Sequence, residues 1–543
     1  MRIFGRNKKK ASSRQHPAGY RTGVPPSAPS QPPSPNPPAS DFQSLNITSS
    51  LEENLRQLKE IFKGCDDLVV RPLSQTPKSS IAFFKGMADR TTIDRDILGP
   101  LLQLIQSPDT GHSSRLTTHA VLQCIQVANT FCVSSWQEIV LKLPVGHVLL
   151  LIDGEDQAIL AEAQGFETRT ISPPEREIVV RGPDEAFTEN LETILSQVRR
   201  RLPVPELKVK QYIIGQISQT RVCLLYLENI VNEDVLQEVI RRLDKLDIDF
   251  ISEGNKIQEF ISDHPYSPFP QMLSTERPDR AAFELNHGKV VIAISGSPYV
   301  LIVPNLLIDG YVTVEDYYHH FTFVTALRIL RFFNVAIALL GPSVYIALTT
   351  YHIEALPTPL LINLASTREG VPFPALVEAL LMEVAIESLR EAGIRLPRQV
   401  GQAISIVGAL IIGEAAVQAG LVSQAMVVVV AITGIAGFTI PVFESGISIR
   451  LLRFPMMFLS ATLGMYGVLF GTLALLIHLS HLRSFGIPYL APLTPTILSK
   501  WKDLFWRFPM FSIPKRNPTI VERNQKRYGK PGPTWSDPRR REE

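Results

Sequence analysis

The run Arg368-Glu369-Gly370-Val371-Pro372-Phe373-Pro374, with the helix pattern that follows it to Glu391, lies between long apolar segments. It carries Glu378, Glu383 and Glu387. Carboxylates at bilayer depth are costly and persist where they face a bundle interior or a watery path. A proline-interrupted backbone at that depth must be buried in protein or line a cavity. The rest of the chain is therefore constrained to enclose this run. Glu383 and Glu387 are four apart and share a helix face, with Glu378 expected off to one side. Two readings stay open. One is an amphipathic helix on a membrane surface. The other is a polar helix inside an oligomeric bundle near a permeation path.

The neighbouring segments read as spans. Phe332 to Tyr351 is long enough to cross a bilayer and is expected to kink at Pro342. The amphipathic stretch 311–331 reads as its interfacial lead-in, rich in aromatics and arginine. Leu360 to Ala365 is too short to cross. Gly401 to Leu421 is a further span, with Gly401, Ile404, Gly408, Ile411, Ala415 and Gln418 at helical spacing. Small and polar residues in such a stripe serve close helix packing or line a pore, and both remain open. Glu414 is expected off the stripe, in need of a partner or water. Gln424 to Phe443 and Pro455 to His481 complete the apolar set.

Three arginine groups are expected in loops or span flanks: Arg328 and Arg331; Arg390, Arg395 and Arg398; Arg450 and Arg453. All can face one side only if the Pro-Phe-Pro helix crosses. That makes five crossings. The basic tail with Lys500, Lys502, Arg507, Lys515 and Arg516 is then stranded on the far side, unless 484–498 re-enters the membrane.

The first 310 residues have a different character. The chain of 543 residues carries a net charge of +2, but residues 400–482 are nearly uncharged and both ends are basic. Residues 1–47 form a basic, Pro-rich tail that cannot bury enough apolar surface to fold. No apolar run follows MRIFGRNKKK, which argues against a signal peptide. Cys65, Cys124, Cys132 and Cys223 lack metal or disulfide spacing, as in a reducing compartment. Residues 48–205 read as one α/β subdomain. Its expected helices are 92–108, 116–133 and 184–201, with a hairpin over 147–163 and a strand over 176–180. Residues 206–310 read as a second, with strands at 209–214 and 222–227, a helix at 232–246, and a hairpin across Ser295-Gly296-Ser297-Pro298. The fold class is thus an α+β region of two subdomains, then an α-helical polytopic membrane domain over 332–498 and a basic tail over 499–543.

No GxGxxG, P-loop or HExxH motif is present. His264 and His287 stand apart from metal-ligand spacing. The expectation is no enzyme, no cofactor, no metal site and no nucleic-acid partner.

Several long motifs carry a resemblance. They are RGPDEAFTENL (181–191), SPFPQMLSTERPDR (267–280), REGVPFPALVEALLMEVAIESLREAGIRLPR (368–398), SIVGALIIGEAAVQAG (405–420), LLRFPMM (451–457) and LRSFGIPYLAP (482–492). Together these resemble the A subunit of the GerA family of spore germinant receptors, over about residues 50–510. The resemblance implies a multi-pass protein of the bacterial spore inner membrane with a cytoplasmic N-terminal region. It implies a transporter-like B subunit and a lipoprotein C subunit as partners, and a homo-oligomeric, nutrient-gated cation channel whose pore the A subunit supplies. Pro372, Phe373, Pro374, Glu378, Glu383, Glu387, Gly408, Ile411, Glu414, Ala415 and Gln418 are the candidate pore or gating residues. The alternatives are a scaffold or signalling subunit, and the A-type paralogue associated with dipicolinate release.

Overall fold

The computed structural model describes residues 45–527, apart from 76–77, 107–116, 166–173, 175–176, 178, 397–407 and 409–410. The Pro-rich tail up to residue 44 lies outside the described residues.

Two antiparallel five-stranded sheets build the N-terminal region. The first holds β1 (Leu68–Gln75), β2 (Lys78–Phe84), β3 (Thr130–Val133), β4 (His147–Ile152) and β5 (Ala158–Glu162). The second holds β6 (Leu207–Ile214), β7 (Thr220–Leu227), β8 (Leu273–Thr275), β9 (Val290–Ile294) and β10 (Val300–Val303). Their strand orders are β1-β2-β4-β5-β3 and β6-β7-β9-β10-β8, which is the same pattern twice. The helices repeat as well. Leu51–Ile61 precedes the first sheet and Leu191–Arg201 the second, and Trp136–Lys142 and Pro278–Asn286 each join the third strand of a sheet to the fourth. The halves meet through a bidentate ion pair: Arg199 donates to Asp67 at 2.5 and 2.8 Å, and both side chains are buried.

Some boundaries differ from the sequence reading. The helix expected over 116–133 splits into Thr118–Cys124 and strand β3, because Thr130-Phe131-Cys132-Val133 pairs with β5 in register Thr130↔Ala161. The helix expected from Asp184 begins at Leu191, where the Asn190 side chain accepts from the Glu192 amide and caps it. Glu177, Val179 and Val180, from the expected strand 176–180, belong to no strand, and its other residues lie outside the described set. The run 290–303 is the expected hairpin, with Leu301 opposite Ile292.

The helical region starts on the sheets. Tyr311 and Asp316 are buried, and one continuous helix runs from Phe321 to Thr350 through Pro342. The stretch 311–331 is therefore no separate interfacial helix. Arg328 within it is fully buried, donating to Asp316 at 2.8 Å and to the Asp503 side chain at 3.3 Å. Thr358–Arg368 and Ala375–Arg395 follow, then a helix over 411–418, then Gln424–Phe438, Phe443–Leu463 and Met465–His481.

Contacts at the ends set the direction of each pass. Ser448 donates to the Pro268 carbonyl and Ser267 pairs with His478 at 2.9 Å, so the start of helix 443–463 and the end of helix 465–481 sit on the sheets. At the opposite end the Tyr351 hydroxyl donates to the Ala461 carbonyl at 2.8 Å. The helix expected over 455–481 is thus two helices, broken at Gly464 (φ 62°). Helix 375–395 and helix 424–438 run toward the sheets, and helix 411–418 runs away. Among the described residues, helices 321–350, 375–395, 411–418, 424–438, 443–463 and 465–481 thus alternate in direction relative to the sheets.

After helix 465–481 the C-terminal segment returns to the sheets. Phe485 packs in the core of the second subdomain, as do Ala491, Ile520 and Val521. Ser484 donates to the Gln271 carbonyl at 2.7 Å and accepts from the Asn305 amide at 3.1 Å. Residues 484–491, in the stretch for which the sequence left re-entry open, pack on the N-terminal region.

Candidate functional site in the helical region

The Pro-Phe-Pro helix supplies the site. Pro374 precedes its first residue, and the Pro374 carbonyl accepts from the Glu378 amide at 3.2 Å. Proline suits this place because it needs no helical N–H partner there. Pro372, Phe373 and Pro374 are exposed at the end of the bundle remote from the sheets, and Phe373 is not part of a packed core.

Glu378 is fully buried and ties three segments together. It accepts from the Ser423 amide at 2.8 Å and pairs with Arg368 at 3.2 Å. Glu383, one turn and a half further on, pairs with Arg453 of helix 443–463 at 2.5 Å. Arg453 also donates to the Ala338 carbonyl of helix 321–350 at 2.8 Å, so one guanidinium bridges three helices. Glu387, partly exposed, accepts from Arg390 at 2.9 Å and lies 3.8 Å from Arg450.

These partners correct the sequence reading. Arg450 and Arg453 are not in a loop; they lie within helix 443–463, and Arg453 is buried. Arg390 and Arg395 likewise lie within helix 375–395. Glu378 and Glu383 face the interior of one chain, where arginine neutralises them, so within a single chain they line no open path. The signal that could have found this was present: Arg450 and Arg453 stand three apart inside an otherwise apolar run, one turn of helix. A charge at that depth needs a buried partner.

The stripe on helix 411–418 behaves differently. Gly401 and Ile404 lie outside the described residues. A Cβ on Gly408 would meet Leu389 Cδ2 at 2.6 Å, so Gly408 serves close packing against the Pro-Phe-Pro helix. Ile411 is 58% exposed, and Glu414, Ala415 and Gln418 are exposed beside it. Gln418 donates to Glu414 at 3.1 Å along the helix. Glu414 therefore shares the stripe's open face rather than lying off it. Of the candidates, Glu378 and Glu383 turn inward, whereas Ile411, Glu414, Ala415 and Gln418 share an outward face.

Between residues 405 and 457 the acids are Glu414 and Glu444, the latter in the first turn of helix 443–463. Among the described residues no group of three metal-ligating side chains occurs. The family described as "Bacillus/Clostridium GerA spore germination protein" matches residues 56–519. The chain belongs to the GerA family. Spore germination protein KA of Bacillus subtilis (strain 168) is 41% identical over 492 residues, which are 89% of either chain. Uncharacterized membrane protein YfkQ of the same strain is 37% identical over 92% of this chain and 96% of its own. Spore germination protein GerLA of Bacillus cereus is 35% identical over 87% of this chain and 96% of its own. The crystal structure of the N-terminal domain of the A subunit of the Bacillus megaterium spore germinant receptor GerK3 is also similar. It shares 28% identity, covering 48% of this chain and 98% of its own, with a TM-score of 0.38. Two helices of this GerA protein, Phe321–Thr350 and Phe443–Leu463, are long and apolar enough to cross a membrane.

Proposed function

We propose that this chain is the A-type subunit of a spore germinant receptor, and that the outward polar face of helix 411–418 lines a cation path between copies of it. The observation that carries this reading is the exposure of Glu414 and Gln418 together with Ile411 and Ala415 on a helix otherwise set among apolar segments. Polar groups at that depth belong on a bundle interior or a watery cavity. In one chain this face is open, so a ring of copies encloses it. A ring of glutamates then favours cations.

On this reading the helical region is polytopic and lies in the inner membrane of the spore. The two sheets and the C-terminal segment share the cytoplasmic side, with B-type transporter-like and C-type lipoprotein subunits as partners. Support comes from the exposed Val428, Ile432, Leu469, Phe470, Leu473 and Ile477, whose side chains suit lipid. Glu378, Glu383 and Glu387 act as interhelical pins. Pro372, Phe373 and Pro374 sit at the outer mouth.

The scaffold reading has one observation in its favour: the buried carboxylates are all neutralised within the chain. The paralogue reading rests on the similarity to YfkQ, a protein named only as a membrane protein. Conductance separates the first two. The chain, with B and C subunits, is placed in a planar bilayer and challenged with nutrient. Cation current that Glu414→Gln or Ile411→Ala alters supports the channel. Silence from a verified assembly leaves the scaffold. Spores lacking this chain that still respond to every nutrient mixture would favour the paralogue.

A further inference from the structure

A groove of about 480 Å³ runs between the Pro-Phe-Pro helix and helix 424–438, with Ile412 of helix 411–418 also on its wall. That volume is in the range of small-molecule sites. Its walls include Met382, Ile386, Ala431, Gly434 and Phe438, and Arg390 closes the end nearer the sheets. From Met382 to Arg390 is eight residues, or about 12 Å of helix at 1.5 Å per residue. The groove is therefore a slot, apolar along its length and cationic at one end. A Cβ on Gly434 would meet nothing within 4 Å, so the slot is open at its middle.

The cationic end is electrostatically unbalanced. Arg390, Arg450 and Arg453 face Glu383 and Glu387, three guanidiniums against two carboxylates. Arg390 donates one bond to Glu387 at 2.9 Å, and its Nε is buried with no acceptor. A buried donor left unmatched costs free energy that a suitable acceptor restores. The guanidinium lies over the Phe438 ring at 5.0 Å, which holds its plane in place. Guanidinium geometry matches phosphate oxygens.

We infer that this slot binds an anionic phospholipid, with one acyl chain along Met382–Ala431 and the phosphate on Arg390. The inference rests on the reading that the helical region lies in a bilayer. The charged end is at the sheet-side margin, where headgroups would be, and the apolar length points into the layer. A zwitterionic lipid carries its own cation beside the phosphate and gains less from the surplus arginine. A second copy docked symmetrically on the same slot would bring Arg390 against Arg390, which is repulsive.

The purified full chain in detergent is offered equal amounts of phosphatidylglycerol and phosphatidylcholine, and bound lipid is counted by native mass spectrometry. The expected result is one retained phosphatidylglycerol per chain, preferred by about tenfold, which corresponds to about 1.4 kcal/mol. Arg390→Gln removes the preference and Arg390→Lys retains part of it. Gly434→Leu fills the slot and removes retention of both lipids, with helix content unchanged. Equal retention of the two lipids by the wild type overturns the proposal, as does an undiminished preference in Arg390→Gln. Displacement by glycerol phosphate, which lacks acyl chains, overturns it in favour of a free-phosphate site. A disulfide formed readily between two Ile435→Cys chains overturns it in favour of a second copy. Flotation with phosphatidylcholine liposomes tests the bilayer reading separately: failure to float removes that reading, whereas a floating chain with no lipid preference removes only the slot.

Discussion

Glu383 and Arg453 show what a single buried charge requires. Their side chains are 1% and 2% exposed, and each would be an uncompensated ion without the other. Removing one partner of such a pair costs about 3–5 kcal/mol, whereas replacing both with apolar residues is close to neutral. Glu383→Ala should therefore lower the thermal stability of the detergent-solubilised chain sharply, and Glu383→Leu combined with Arg453→Met should recover most of it. Additive losses in the double variant would show that the two side chains are not coupled. His287 makes the same argument for a neutral group. Its Nδ1 donates to the Phe283 carbonyl at 2.6 Å, and its Nε2 accepts from Arg527 of the C-terminal segment. Burial, then the nearby Arg527 charge, pushes its pKa well below the ordinary value. The unfolded chain takes up this proton near pH 6.5 and the folded chain does not. The stability from neutral His287 is present above about pH 6.5 and is lost as pH falls below it, toward the depressed folded value. Limited proteolysis of the 516–527 segment should accelerate between pH 7 and pH 5, and His287→Gln should flatten that dependence.

At the scale of the element, the hairpin of helices 443–463 and 465–481 depends on absent side chains. Gly464 turns the chain at φ 62° and ψ −139°, a region open essentially to glycine. A Cβ on Gly467 would fall 2.0 Å from the Leu459 carbonyl oxygen, and one on Gly471 would fall 2.5 Å from Met456 Sδ. The spacing Gly467-x-x-x-Gly471 lets two helices touch backbone to side chain. Gly467→Leu should separate the hairpin and place the C-terminal segment out of register with the sheets. Disulfide trapping between Leu452→Cys and Leu475→Cys, which pack in one cluster across the hairpin and should trap efficiently in the otherwise native chain, should fail when Gly467→Leu is added. Efficient trapping in both would mean that the close approach is not required.

For the whole molecule, parity is the consequence with the longest reach. With six helices alternating in direction among the described residues, the chain returns to the sheets, and Ile520 and Val521 complete the core of the second subdomain. In sealed vesicles, tags at the N-terminus and after residue 543 should be protected or digested together. A tag digested alone would refute the even count. The duplicated sheets belong to the same scale. Arg199–Asp67 couples the halves, and its loss should loosen one repeat against the other without unfolding either sheet, which hydrogen exchange would resolve.

Local pattern alone determined much of this protein. Strand hairpins such as 147–163 and 290–303 were legible because alternating apolar residues flank turn signals. The capped helices and the apolar runs of the second half were legible for the same reason, and the long motifs were enough to place the chain in its family. Tertiary structure decided the rest. Whether Arg453 sits in a loop or inside a helix depends on Glu383 of another helix, 70 residues away. Where 484–498 lies depends on the Gln271 carbonyl and the Asn305 amide, which pair with the Ser484 hydroxyl, and on Asp263, which accepts from the Phe485 amide. Periodicity reports which face of an element is apolar. It does not report which distant element will satisfy a buried charge, and in this chain those long-range pairings decide where Arg453 lies and turn Glu378 and Glu383 inward.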